Sequence, residues 1–552
     1  MWPFSSSFRR IVDPKLQQRD ALIANVTLAA VDSKDSDAIL NATATEIVAG
    51  ISRGEWTASR VVDVFIAQAV AAHKTTHCLT EILFQQAQQQ ARELDAEFAA
   101  TKQLRGPLHG VPISIKDLFD IAGFDSSIGF SARLNQPAET DADIVALLKS
   151  AGGIPFVKTN VPQTMFSFEC TNPVFGRTTN PYNASHTPGG SSGGEAALIA
   201  MDGSPLGVGS DIGGSLRIPA SYCGIYSFKP GLQRVSYIGA SGLPGAEGIT
   251  PVPGPMARSV ADLDLFCRLA FGAAQRSLTV APIPYRDQTL PEKLRFGYYT
   301  GAPILANLAQ GVNLCADFYF KSSPAAKRAV LETVAALRAQ GHECIEIEVP
   351  NAREPFEVFV GATSADGYKT LLSGVGSDPL DPKFAGILRS TGSKPVFDLY
   401  KWIARRNQYN STFYKEVWDK FALDALIAPV QAMPAIPHDT FSTLFALASS
   451  TVLYNVVNSP VGTIPVTRVD PAQDKLTDLW TKMPGISMVE RLLYAGRKPI
   501  YDPVSMVGLP VGIQLVGRIW EDEKVLAMMK VVDSALGSER GFGPRAWSRC
   551  GR

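Results

Sequence analysis

The sequence predicts an α/β protein, and three observations carry that prediction. The first is a strand–helix–strand unit after residue 290. Residues 294–299 read as a strand, Ser323 caps a helix with Pro324 at its first position and Val330, Val334 and Leu337 on one face, Gly341 closes it, and 344–349 read as the next strand. The second is a set of short apolar runs of buried-strand type at 111–115, 154–157, 426–430, 461–466 and 511–516. The third is helical periodicity from 46 to about 100. There Val61, Val62, Phe65, Ala69 and Val70 share a face, as do Leu83, Phe84, Ala87, Ala91 and Leu94, with glutamines between them on the solvated side.

Composition bounds the function. Across 552 residues, 52 Lys and Arg balance 52 Asp and Glu, so the overall charge gives no reason to expect a nucleic-acid partner. An apolar content of 45% can build a large core and excludes a mostly disordered chain. The seven cysteines (Cys78, Cys170, Cys223, Cys267, Cys315, Cys344, Cys550) are odd in number, scattered and without a CxxC pair, which fits reduced thiols and neither a disulfide framework nor a zinc cluster. No signal peptide and no run of about 18 apolar residues is legible, so the expectation is a cytoplasmic protein, soluble or peripheral on an intracellular membrane. With no repeat and no Pro/Ser linker, residues 46–540 read as one continuous domain whose Gly/Ser-rich stretch at about 105–260 is the site region. Residues 1–45 read as an N-terminal extension and 541–552 as a tail.

The chemistry concentrates in that stretch. Thr187-Pro188-Gly189-Gly190-Ser191-Ser192-Gly193-Gly194-Glu195 is followed by Asp211-Ile212-Gly213-Gly214-Ser215-Leu216-Arg217. Glycine next to serine lets backbone N–H groups point into a cavity, as an oxyanion hole requires, although two tight turns with capping serines give the same pattern. A phosphate loop would need a lysine after the glycines, and none is there. Gly190-Ser191-Ser192-Gly193-Gly194 literally matches the GxSxG elbow with Ser192 as nucleophile, yet the lead-in carries Pro181 and Pro188 where that elbow needs a strand. A serine nucleophile needs a base. His186 lies near the glycines but reads as a loop histidine, and His73 and His77 lack the Glu of a metal-binding HExxH. Lys116, directly after the apolar run 111–115, is the other candidate: a buried strand end can desolvate its ammonium, and only the neutral amine accepts a proton. An interior lysine ion-paired to Asp117 or another carboxylate is the competing reading.

Taken together, Gly106-Pro107-Leu108-His109-Gly110-Val111-Pro112-Ile113-Ser114-Ile115-Lys116-Asp117, the 189–194 segment and Asp211-Ile212-Gly213-Gly214-Ser215 resemble the amidase signature family. Weaker echoes at 254–258 and 508–517 extend the match, and 156–167 with 172–176 are most similar to the fatty acid amide hydrolase branch and its fungal acetamidase-like relatives. The branch's animal membrane enzyme has an N-terminal spanning helix, and Met1 to Asn41 contains none. The resemblance implies one large twisted mixed sheet surrounded by helices, no metal and no cofactor. It puts the catalytic lysine on Lys116, a bridging serine held by a cis peptide on Ser191, and the nucleophile on Ser215. The oxyanion donors fall on the backbone from Ile212 through Gly213 and Gly214 to Ser215. Asp211 and Arg217 read as an ion pair fixing the loop, and Met165, in an apolar stretch with Phe166 and Phe168, as the residue touching substrate. The implied activity is hydrolysis of carboxylic amides, fatty acid amides and N-acyl amines such as N-acylethanolamines foremost. Rivals are a short-chain acetamidase-like enzyme, the glutaminase subunit of a tRNA amidotransferase and a non-catalytic binding protein. The expected partner is a small, lipid-like amide, with peripheral membrane contact and a homodimer left open.

Overall fold

The computed structural model describes residues 6–29, 32–242, 245, 247–273, 279–301, 320–376, 378–381, 385, 388, 391–482 and 487–550. Cys315, the first five residues of the expected extension and the last two of the tail lie outside them. The strands in chain order are β1 (Leu79–Ile82), β2 (Pro112–Lys116), β3 (Ile154–Thr159), β4 (Thr171–Asn172), β5 (Gly176–Arg177), β6 (Leu206–Asp211), β7 (Tyr226–Lys229), β8 (Val252–Ala257), β9 (Arg295–Tyr298), β10 (Glu343–Glu346), β11 (Ala425–Pro429), β12 (Val461–Arg468) and β13 (Pro510–Val516). Eleven of them form one mixed sheet in the order β1-β3-β2-β6-β8-β7-β12-β13-β11-β9-β10, while β4 and β5 pair only with each other.

The 294–349 unit forms as predicted. Ser323 Oγ accepts from the Ala326 N–H at 3.3 Å to cap the helix Pro324–Ala339, Gly341 beyond it has φ +89°, and β9 and β10 pair in parallel. The 46–100 region departs from the all-helical expectation. The helix Ala58–Thr76 ends at His77 in the left-handed conformation, and β1 intervenes before the helix Phe84–Thr101. All four residues of β1 are buried, so it lacks the alternation that marks a half-exposed strand. The predicted extension and tail are docked. Lys15, on the helix Ser6–Ala24, pairs with Glu81 and Asp125 at 2.6 and 2.8 Å, and Trp547 Nε1 donates to Pro181 O at 2.9 Å. Among the described residues no helix is long and apolar enough to cross a membrane.

What positions the site is the parallel trio β3-β2-β6. Strands running the same way present their carboxyl ends together, the edge at which α/β sheets bind ligands. That edge carries Thr159 from β3 with Asn160 directly after it, Lys116 from β2, and Ser210 and Asp211 from β6. The helix Gly193–Ala200 lies against the same strands, and every one of its residues is buried. Glycines in β6 admit it: a Cβ on Gly207 would stand 2.2 Å from Glu195 Oε2, and one on Gly209 2.8 Å from Ser192 Oγ.

Candidate active site

Lys116 ends β2 with its side chain fully buried, and its Nζ lies 2.7 Å from Ser191 Oγ and 2.9 Å from Ser210 Oγ. Burial drives its ammonium from the ordinary 10.5 down to about 7, against the partly opposing fields of Asp211, Cys170 and Glu195. Asp117 is not its counter-ion. That carboxylate pairs instead with Lys158 of β3 at 3.2 Å and accepts from Ser127 Oγ at 2.5 Å, so the ion-paired reading of Lys116 does not hold. Ser191 follows a cis peptide bond to Gly190.

The loop after β6 turns on Asp211. Its Oδ1 accepts from the Gly214 N–H at 2.9 Å, its Oδ2 from the Leu216 N–H at 3.1 Å, and Arg217 closes the ring with two bonds of 3.0 Å. Arg217 also donates to Thr451 O, to Gln514 Oε1 and to Asn455 Oδ1, tying the loop to β13 and to the helix Ser449–Val456. Burial alone would raise the Asp211 carboxyl, but the Arg217 guanidinium outweighs it and holds the group well below the usual carboxylate range. Asp211 and Arg217 therefore form a buried ion pair that clasps the loop carrying Ser215. Gly214, at φ +123°, requires glycine: a Cβ there would stand 2.4 Å from Thr451 Oγ1. Its N–H is committed to Asp211, so the oxyanion assignment rests on Ile212, Gly213 and Ser215.

Ser215 opens on an apolar cavity of about 40 Å³ whose wall includes Met165, Phe168, Ile218, Phe359, Phe441 and Val452. Ile212 and Gly213 line it too. Thr164 and Met165 both adopt left-handed backbone (φ 68° and 57°), a conformation costing non-glycine residues about 1 kcal/mol or more each. Gln163 braces that turn by donating to Pro379 O at 3.0 Å. Phe168 meets Phe441 edge-on at 4.7 Å between ring centroids, joining the two sides of the cavity.

Thus Lys116 and Ser191 are in contact, and Ser215, Ile212, Gly213 and Met165 share one cavity. The side chains of the other candidates are engaged elsewhere. Ser192 is fully buried with its Oγ directed to Ser210 O at 3.5 Å, and its N–H donates to Ser215 O at 3.2 Å, a structural position with no strand directly before it. His186 pairs with Ser185 Oγ at 3.0 Å, and burial lowers its imidazole to about 4. His73 accepts the Leu79 N–H at 3.0 Å, and among the described residues no cluster of His, Cys, Asp or Glu is arranged to hold a metal ion. Sequence reasoning missed Ser210, Glu195, Asn455 and Gln514. Ser210 adjoins the 211–217 motif, Glu195 ends the 187–195 motif and Gln514 lies within the 508–517 echo, whereas Asn455 comes from a segment that nothing singled out.

Known proteins bear on the same arrangement. The Amidase family profile matches residues 60–526. The chain is 32% identical over 550 residues to the fatty-acid amide hydrolase 1 of Sus scrofa, covering 92% of this chain and 88% of that protein. It is also 32% identical over 517 residues to the acetamidase of Emericella nidulans, covering 91% and 90%. A solved fatty acid amide hydrolase structure superposes with a TM-score of 0.83 at 29% identity, covering 97% of this chain and 91% of that one. With a profile spanning most of the chain and relatives of this similarity along nearly its whole length, the protein belongs to the amidase signature family and is a hydrolase of amide bonds.

Proposed function

We propose that Ser215 is the nucleophile, Ser191 the proton bridge and Lys116 the base of a serine amidase. The observation that carries this reading is the contact of a buried lysine, depressed to about 7, with the Ser191 hydroxyl at 2.7 Å. Neutral Lys116 draws a proton from Ser191 Oγ as Ser191 draws one from Ser215 Oγ, and Ser215 Oγ bonds to the amide carbonyl carbon. The oxyanion rests on the backbone amides of Ile212, Gly213 and Ser215. The relay then runs backwards: the proton reaches the leaving nitrogen, the C–N bond breaks, and water releases the acyl group as a carboxylic acid.

The substrate class proposed is an amide with an apolar acyl group, fatty acid amides and N-acyl amines foremost. Methionine and five aromatic rings around the cavity make a wall suited to a flexible hydrocarbon and unsuited to the polar side chain of glutamine. A second reading, a short-chain amidase, draws on the cavity's size, since 40 Å³ holds about three water-sized groups unless side chains move. Hydrolysis by the purified chain, without ATP, across acyl amides from two to twelve carbons decides between them. The fatty-amide reading expects kcat/KM to climb over several carbons, by up to about 0.8 kcal/mol per buried methylene, with part of the gain lost in Met165→Glu. A peak at acetamide or a flat series rejects it in favour of the short-chain reading.

A further inference from the structure

Glu195 is a fully buried carboxyl that the reaction above does not use. Its two oxygens accept from different strands: Ser114 Oγ reaches Oε2 at 2.5 Å, and Thr159 Oγ1 reaches Oε1 at 2.8 Å. Ser114 lies two residues before Lys116 on β2, so strand alternation projects both from one face. Thr159 is the β3 residue in register with Lys116. The carboxyl is thus held between the neighbours of Lys116 along its strand and across it, and Gly207 leaves the space it fills.

The charged surroundings make this placement selective. Asp211 also acts on Lys116, but its oxygens are taken up by Arg217, Asn455 and two backbone amides. Cys170 and Cys78, the other titratable groups coupled to Lys116 or Glu195, are held neutral by burial, which lifts both thiols to about 12. Asp117 and Lys158 pair with each other. Lys116 is the cation acting on Glu195, and burial lifts the carboxyl to about 7 while the two hydroxyl donors oppose that rise.

We infer that Glu195 is a positioning residue, fixed by Ser114 and Thr159 beside Lys116 without touching it, whose carboxylate supplies the counter-charge for the ammonium formed when Lys116 takes up the proton of the Ser215–Ser191 relay. Direct contact would keep the lysine protonated and useless as a base. At one remove the carboxylate stabilises the transient ammonium in a low-dielectric site and still leaves the amine free to accept.

The inference rests on the proposed triad, and one experiment tests the two separately. The rate at which a fluorophosphonate labels Ser215 is followed from pH 5 to 9 in the wild type, Lys116→Ala, Glu195→Gln and Ser114→Ala, with thermal melts alongside. The triad reading expects an acid limb in the wild type that Lys116→Ala removes; a wild type without that limb fails the triad itself. Given the limb, Glu195→Gln, which keeps the shape and the hydrogen-bonding capacity, moves it to lower pH by about one unit, because the amine has lost a neighbouring negative charge. Ser114→Ala, which strips the carboxylate of one donor, moves it the same way by less. A limb that stays in place in folded Glu195→Gln overturns the role of Glu195. Should Glu195→Gln not fold, an unmoved limb in Ser114→Ala does the same.

Discussion

Replacing Lys116 by methionine should abolish turnover and stabilise the protein, and the stabilisation should depend on pH in a defined way. In the unfolded chain the ammonium keeps its ordinary pKa of 10.5, whereas burial holds it at about 7 in the folded protein. Above about pH 10.5 the amine is neutral in both states and burial carries no ionisation penalty. As pH falls from there to about 7 the unfolded state binds the proton first, so a penalty against folding accumulates, reaching about 4 kcal/mol at pH 7 and levelling off below it. Methionine removes that penalty and fills similar space. It also forfeits the hydrogen bonds to Ser191 and Ser210, worth about 1 kcal/mol each, which leaves a net gain of about 2 kcal/mol. For a chain of 552 residues, with an unfolding entropy of about 2.1 cal/mol/K per residue, this corresponds to a Tm higher by about 2 °C at pH 7. Thermal melts of both proteins between pH 6 and 11 are the assay. The difference should be largest at pH 6–7, shrink as pH rises and be reversed near 11, where only the two lost hydrogen bonds remain. A difference that does not vary with pH, or a less stable variant at pH 7, refutes the claim that Lys116 is held neutral by burial.

Two further outcomes follow from the site's electrostatics. Asp211→Asn leaves the Arg217 guanidinium buried without its counter-charge and should cost about 3–5 kcal/mol, read as a lowered unfolding midpoint in urea together with loss of Ser215 labelling. His186→Ala should leave the pH–rate profile in place, because His186 lies on Ser185 and its imidazole titrates near 4. A bell-shaped profile near pH 6 that disappears in this variant contradicts the lysine assignment.

Several residues of this site are legible in the sequence itself. The order Lys116, Ser191, Ser215 lies in motifs dense in glycine and serine, and the Asp211–Arg217 pair was readable from its bracketing of Ser215. Less visible was what the sheet does with them. Strand β6 carries glycines at 207 and 209, and β8 (Val252–Ala257) has two prolines and a glycine among six residues, so neither has the β-branched run that announces a strand. Both are strands because they lie in the sheet's interior, where pairing from both sides overrides weak local preference. Glu195 was overlooked for a related reason. A carboxylate in the first turn of a helix usually serves the helix dipole in solvent, and only the register of β2 against β3 turns it into a buried neighbour of Lys116. Asn455 and Gln514 reach Arg217 from more than two hundred residues away in the chain, a proximity that spacing does not encode.

The proposed mechanism has Ser215 carry the acyl group and Lys116 activate it through Ser191. It is tested most directly by reacting the purified chain with a fluorophosphonate and mapping the modified peptide. One adduct is expected, on Ser215, absent from Ser215→Ala and formed far more slowly in Lys116→Ala, with both variants folded. An adduct on Ser192, or labelling of Ser215 at an undiminished rate without Lys116, contradicts it.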